Sequence, residues 1–345
     1  MDNFCVVPED RRYWVIRSEK GAFLQHFQIH GVVAIGHLDD LGLKPTNDKA
    51  FNGNWQTLTQ RLLARFEELE QSRRSAFSIA SQAKTFAEEI QSGDWVIVPG
   101  GDVVAIGRVE SHSYLDTASL YAKNVQGFDT EMPFSLRRRV KWGATIARDE
   151  LSSPLRRSMA ANQTVFNIDG HWESIYHALF GSFLRGDTLY FSARLKSDSG
   201  VNNVDVTSFL SLLTDIEVMA RGFSDGLQTE NFESFLSHYR ADGSLSLTTK
   251  AEFYSPGDIW VQLIGDGLAT AKTYGWVPIA VLAYNMLFGN SKKGMDGVVD
   301  LKTRQRLWGL VIDRMQRRGA DRAIENMKIS PPNKGQELLD DQGKK

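Results

Sequence analysis

Few residues in this chain stand at spacings that carry chemistry, and the search for them starts with acids placed near a lysine. A metal-dependent nuclease holds its ion on one acidic residue and on an Asp, Glu or Gln two positions before a lysine, and the group activates water. After Asp169 one tripeptide fits, Asp300-Leu301-Lys302, and it precedes a helical pattern rather than ending a strand. Asp215-Ile216-Glu217 lacks the lysine, while Lys250 and Lys272 have Thr248 and Thr270 two residues before them. Such tripeptides are common by chance. No G-x-x-x-x-G-K-[ST] loop, H-E-x-x-H or G-x-S-x-G occurs. Gly100, Gly101 and Gly107 do not make a dinucleotide fingerprint, and His171 and His177 are spaced badly for one helical face. Cys5, the single cysteine, has no base near it in sequence. It rules out an intramolecular disulfide and a cysteine-rich zinc site. No cofactor is expected, and Mg²⁺ enters only if the nuclease reading holds.

Residues suited to binding are more numerous. A base needs a π-face to stack on and polar groups to read its edge. Trp14, Trp55, Trp95 and His37 offer faces; Arg17, Ser18 and Asp39 offer charge and hydrogen bonds. Each has a plainer reading: Trp14 in an alternating strand is more often core, and Asp94 after Gly93 is a turn residue bonding its own backbone. Arg137, Arg138, Arg139 and Lys141 make a local basic run, part of which must face solvent because a strand alternates faces. Eight basic residues lie between Lys302 and Lys328, and Arg314, Arg317, Arg318 and Arg322 recur at helical spacing. They read as a solvated outer face or as a phosphate-contacting one. Net charge is −2, so no global positive field exists and any nucleic-acid contact must come from such local patches.

The elements that would position these residues follow from periodicity. Tyr13–Arg17 and Gly31–Gly36 read as strands, and Trp55 to Gln91 as helical. Trp95–Pro99 and Val103–Val109 form a hairpin across Gly100-Gly101-Asp102. Leu136–Trp142 reads as an edge strand, with 144–167 helical or mixed. Beyond it the expectation is a helix from Trp172 to Leu184, a strand from Asp187 to Leu195 and an amphipathic helix from Val206 to Phe223. Ser244–Phe253 alternates. Ser255-Pro256 opens a helix as cap and first position. One amphipathic helix runs from Arg304 to Asn326. The apolar Gly265–Gly289 stretch contains no run of the roughly 20 residues a bilayer span needs, so it reads as a buried helix or hairpin.

Three passages in order carry a family resemblance: YWVIRSEKGAF with GVVAIGHLDDLG, then IQSGDWVIVPGGDVVAIGRVES, then RRVKWGATIARDELSSPLRRSMAANQTVFNID. This series resembles the N-terminal, EVE-like domain of Mrr-type restriction-system proteins, within the PUA-like superfamily, over about Arg12 to Asp169. The resemblance implies a PUA/EVE-like β-barrel-type domain with flanking helices. It implies recognition of nucleic acid, often of a modified or flipped base. Trp14 and Arg17 match the first motif, His37 stands where relatives commonly have Trp, and Pro99 and Gly100 stand where the hairpin lines the pocket. The base-binding candidates are therefore Trp14, Arg17, Ser18, His37, Trp55, Pro99 and Gly100, with Arg137, Arg139, Lys141, Arg314, Arg317 and Arg318 as basic patches.

The expected architecture is α+β throughout. Residues 1–170 form the recognition domain, 171–329 a helix-rich α+β domain that acts as effector or oligomerises, and 330–345 a disordered tail. The expected function is nucleic-acid binding in bacterial anti-phage defence. The alternatives are a divergent metal-dependent nuclease and a sensor-controlled membrane effector. Expected partners are nucleic acid, another defence protein and a second copy of the chain, in the cytoplasm.

Overall fold

The computed structural model of the chain describes residues 5–123, 127–197, 200–223, 225–251, 257–264, 276–289 and 299–339. Asp10–Ile175 form one compact unit, and the residues before and after them form the other. The first nine residues therefore do not belong with the unit that follows them, as a boundary at 1–170 required. The reason is pairing: β1 (Cys5–Val6) lies parallel to β11 (Ser182–Arg185), with Cys5 beside Phe183.

The first unit is a seven-stranded sheet that curls into a half-barrel. Its strands are β2 (Tyr13–Ile16), β3 (Val32–Ile35), β4 (Trp95–Pro99), β5 (Val103–Val109), β6 (Tyr114–Leu115), β9 (Leu136–Ala147) and β10 (Val165–Asn167), in the order β10-β2-β4-β5-β9-β3 with β6 also on β9. A separate ribbon pairs β7 (Leu120–Lys123) with β8 (Asp129–Met132). The β4–β5 hairpin forms as its Gly100-Gly101-Asp102 turn leads one to expect.

β9 is not an edge strand. Its first half pairs with β3 and β6 and its second half with β5, so one long strand belongs to both walls of the curl. A register shift opposite Ala105 and Gly107 accompanies the bend. Gly107 is required there, since a Cβ would stand 2.4 Å from Val140 Cγ1.

Two helices cover the sheet, α2 (Trp55–Glu68) and α3 (Arg73–Lys84); α1 (Leu24–His30) precedes them. Asn54 and Ser72 cap α2 and α3 through their side chains. α3 passes into a π-turn, Thr85–Glu89, whose carbonyls lie outside the usual helical pattern. Buried Arg138 takes them up: Nε donates to Phe86 O at 2.8 Å, Nη2 to Ala87 O at 2.8 Å and Nη1 to Ser111 O at 2.9 Å.

α4 (Ser153–Ser158) and α5 (Trp172–Leu179) follow. The helix expected to reach Leu184 stops at Leu179, and β11 begins at Ser182. In the second unit β1, β11, β12 (Thr188–Leu195), β14 (Gly257–Ile264) and β13 (Thr248–Ala251) form a five-stranded sheet in that order. One face carries Leu189, Phe191, Ala193, Leu195, Ile259, Val261 and Leu263. It packs on α6 (Asn203–Gly222) and on helices Val277–Leu287 and Leu301–Arg318. α7 (Phe232–Ala241) completes this core.

The helix expected to begin at Ser255-Pro256 is replaced from Gly257 on by β14; 252–256 lie outside the described residues. The alternation of Ile259, Val261 and Leu263 explains the strand. The long C-terminal helix is broken at Gly319, which adopts φ +62, into Leu301–Arg318 and Ala320–Asn326. The polar tail is ordered as far as it is described: Ser330 pairs with Arg194, Asn333 with Phe180, and Leu338 is buried.

Of the apolar Gly265–Gly289 stretch, 265–275 lie outside the described residues, and Val277–Leu287 is an 11-residue helix buried in the core. No helix among the described residues is long and apolar enough to cross a membrane.

Candidate nucleic-acid interface

Where β2 ends, Arg17 turns out of the sheet. Its N–H donates to Thr164 O at 2.9 Å and its Nη2 to Met159 O at 3.3 Å. Ser18 follows, fully buried, and its carbonyl accepts from Gly21 and Phe23. Its Oγ has no partner among the described residues. Glu19, Lys20 and Gly21 then take φ of 47, 54 and 97, a sharp left-handed turn. Gly21 is obligatory, because a Cβ there would stand 2.9 Å from the Gly100 backbone.

β3 delivers Gly36 and His37 on the other edge of the curl. Burial holds the His37 imidazole down to about 4, against a side-chain hydrogen bond with Gln82 that raises it. His37 is thus neutral at pH 7, and its sealed Nε2 has no partner among the described residues. Gln82 of α3 is the bridge. Its Oε1 accepts from Thr164 N at 2.5 Å and Val165 N at 3.2 Å, and its Nε2 donates to Ser78. One chain of hydrogen bonds therefore runs Arg17–Thr164–Gln82 and ties α3 to the end of β2, and His37 lies beside Gln82.

Trp14 is not part of this cluster. It is 1% exposed, its indole Nε1 donates to Asp94 Oδ2 at 2.9 Å, and the Arg12 guanidinium lies 4.4 Å over its ring. No face is left for a base, so Trp14 is a core residue. Asp94 is correspondingly more than a turn residue, since the same Oδ2 also accepts from Gln91 N at 2.9 Å. Removing this acceptor leaves two donors unmet. Asp94→Ala is expected to destabilise the first unit by about 2–3 kcal/mol. A urea midpoint within error of wild type would refute that role.

The remaining candidates separate. Trp55 is half-buried, gives its N–H to Glu88 and meets Phe51 edge-on. Gly100 is brought instead to a groove of about 860 Å³ lined by Gly21, Gln25, Gln28, Gly101 and Thr130, while Pro99 is half-buried and pairs with Val104. Arg137, expected at the surface, is 1% exposed and donates to Phe134 O at 2.7 Å, Asp116 at 3.0 Å and Ala118 O. Arg139 is exposed and pairs with Asp48 at 3.1 Å; Lys141 is half-buried. The C-terminal basic face is split, with Arg314 buried, Arg318 half-buried and Arg317 and Arg322 exposed. Buried Arg314 donates to Asp215 at 2.9 Å and Glu233 at 2.8 Å, Arg318 to Asp215 at 3.0 Å, and Arg317 pairs with Asp313 at 2.9 Å.

In the second unit Asp300 is a helix cap that accepts from Thr303 N at 3.0 Å, bonds that hold its carboxyl below the usual range. No group of three or more His, Cys, Asp or Glu placed to hold a metal occurs among the described residues. A serine–histidine contact that the sequence did not suggest joins Ser192 Oγ to His177 Nδ1 at 2.7 Å. His177 lies flat on Trp260, ring centroids 4.4 Å apart, and both Ser192 and His177 are buried, so the pair packs a sheet face.

Comparison of the chain with protein-family models, with curated proteins and with solved structures returns no match.

Proposed function

We propose that residues 10–175 bind nucleic acid and read one flipped or unpaired base at the Arg17, Ser18, His37 and Gln82 cluster, in a protein of restriction-type anti-phage defence. The defence role is supported by the resemblance of the three sequence passages to Mrr-type proteins. The observation that carries the base-reading role is the pair of sealed polar atoms, Ser18 Oγ after β2 and His37 Nε2 after β3, that lack partners among the described residues. Orphaned groups of this kind cost about 1–3 kcal/mol each, a penalty that a base edge supplying both a donor and an acceptor would remove. A neutral imidazole can both donate and accept, and its ring supplies a π-face now that Trp14 is turned into the core. Reaching these atoms requires the adjoining Glu19-Lys20-Gly21 turn to shift, and its two non-glycine residues at positive φ already store strain.

The test is fluorescence polarisation with single- and double-stranded DNA and RNA, with and without modified cytosine, with Mg²⁺ present. His37→Ala and Gln82→Ala should each weaken the preferred probe about tenfold, the worth of one well-placed hydrogen bond. They should change binding to the other probes little. Absence of binding to every probe at low salt would refute the reading; cleavage with Mg²⁺ would add a nuclease to it. The depressed His37 pKa also fixes a pH dependence. Between pH 6.5 and about 4 the unfolded chain binds this proton and the folded chain does not. Stability therefore rises with pH across that window and is lost as pH falls through it. His37→Gln should flatten that loss, while wild-type binding stays level, as far as His37 governs it, from pH 8 to about 6.

A further inference from the structure

We propose that the exposed face of α3 is the surface on which the phosphate backbone of the bound nucleic acid lies, delivering a base toward Gln82. This inference rests on the nucleic-acid reading above. The face is formed by Arg73, Arg74, Phe77, Ser78, Ser81 and Lys84, all exposed. From the Ser72 cap to Lys84 the helix carries three cations, four serines and no acid. Arg73 and Arg74 make no ion pair among the described residues, and Lys84 has only an exposed Glu88 at 3.9 Å.

Both arginines stand in the first helical turn, against the positive end of the helix's own dipole. No ion pair among the described residues compensates that placement, whereas a polyanion would. Phe77 is 53% exposed on the same face, between cations, where a folded interior has no use for it and a base has. Arg73 to Lys84 spans about 16 Å of helix, so the cations can meet successive phosphates rather than one ion. The glutamates at 67, 68 and 70 lie before the cap and bound the patch on that side.

The face also leads to the cluster. Arg74, Ser78 and Gln82 follow one another at four-residue spacing, and Gln82 Nε2 donates to Ser78 Oγ at 3.1 Å. The same helix therefore presents cations outward and the bridging glutamine inward. A strand held on the first would have its neighbouring nucleotide beside the second.

The experiment measures affinity for the preferred probe of the full chain across a salt series. Each phosphate neutralised contributes about 0.7–0.9 to the slope of log K against log salt. The double variant Arg73→Gln, Arg74→Gln should lower that slope by about 1.4–1.8 and leave the preference between modified and unmodified probes unchanged. The Arg73→Lys, Arg74→Lys variant should keep the wild-type slope. A glutamine variant whose slope equals wild type, on a wild-type protein that binds, overturns the α3 surface and leaves the base-reading cluster standing. A wild-type protein that binds no probe removes the cluster reading and this inference together.

Discussion

Arg314→Met should destabilise the second unit by about 3–5 kcal/mol, the range for breaking a buried ion pair from one side. Arg314 is 2% exposed and Asp215 is 0% exposed, with 2.9 Å between Nε and Oδ2. Arg314 also lies 4.1 Å over the ring of Phe232. Arg318 remains on Asp215 but is itself partly exposed, so it cannot replace the lost desolvated partner. The contact with Glu233 contributes little, because that carboxylate is 65% exposed. Asp215→Leu combined with Arg314→Met should recover much of the loss, because no buried charge is then left with fewer partners than it needs. Chemical denaturation of both variants decides it. A single variant within 1 kcal/mol of wild type would show that the pair contributes nothing net.

Arg138→Met should cost the first unit about 3 kcal/mol or more, by a different route. Arg138 faces carbonyls instead of a carboxylate, and burial lowers its guanidinium to about 10, still charged at neutral pH. Its fork satisfies Phe86 O, Ala87 O and Ser111 O together, and the first two come from the π-turn that follows α3. Methionine fills the space and leaves these acceptors with fewer donors, at roughly 1–3 kcal/mol for a buried group. Ala87 O keeps the hydroxyl of Ser113 at 3.1 Å, so Phe86 and Ser111 bear most of the loss. Arg138→Lys should restore only part of the stability, since one ammonium cannot reach three carbonyls in a planar fork. Equal urea midpoints for the methionine and lysine variants would show that packing, not the fork, is what matters.

The two cases also show where a sequence stops being informative. Hydrophobic periodicity made α2, α3, the β4–β5 hairpin, β12 and α6 legible, because their cores repeat at fixed spacing. A charged side chain carries no such mark. Arg137 and Arg138 look like a solvated run, yet both are buried by partners from residues 86 to 134, which no local pattern reveals. β9 likewise reads as an edge strand in sequence, yet it pairs with β3 and β6 along its first half and with β5 along its second. The base-site candidates fared unevenly. Arg17 and Ser18 follow β2 and His37 follows β3, whereas Trp14 turns inward to Asp94. Gln82, which holds Thr164 and Val165, carries no mark in the sequence because a glutamine on an amphipathic helix looks like any exposed polar residue.

The pairing of β1 with β11 makes the first unit an insertion: residues 10–175 interrupt a second unit whose sheet is completed by a strand from upstream of them. The insertion is fastened at its own two ends, where Tyr13 N donates to Asp169 at 2.7 Å and Arg12 pairs with the same carboxylate. The unit that the host surrounds in sequence can therefore be closed on itself, while the host is assembled from two separate stretches of chain. A polypeptide that began after Glu9 would keep the insertion whole and strip the cover from β11. The backbone groups that Cys5 to Val7 now occupy, Leu184 O among them, would be left as an open sheet edge, which is the template on which like chains aggregate.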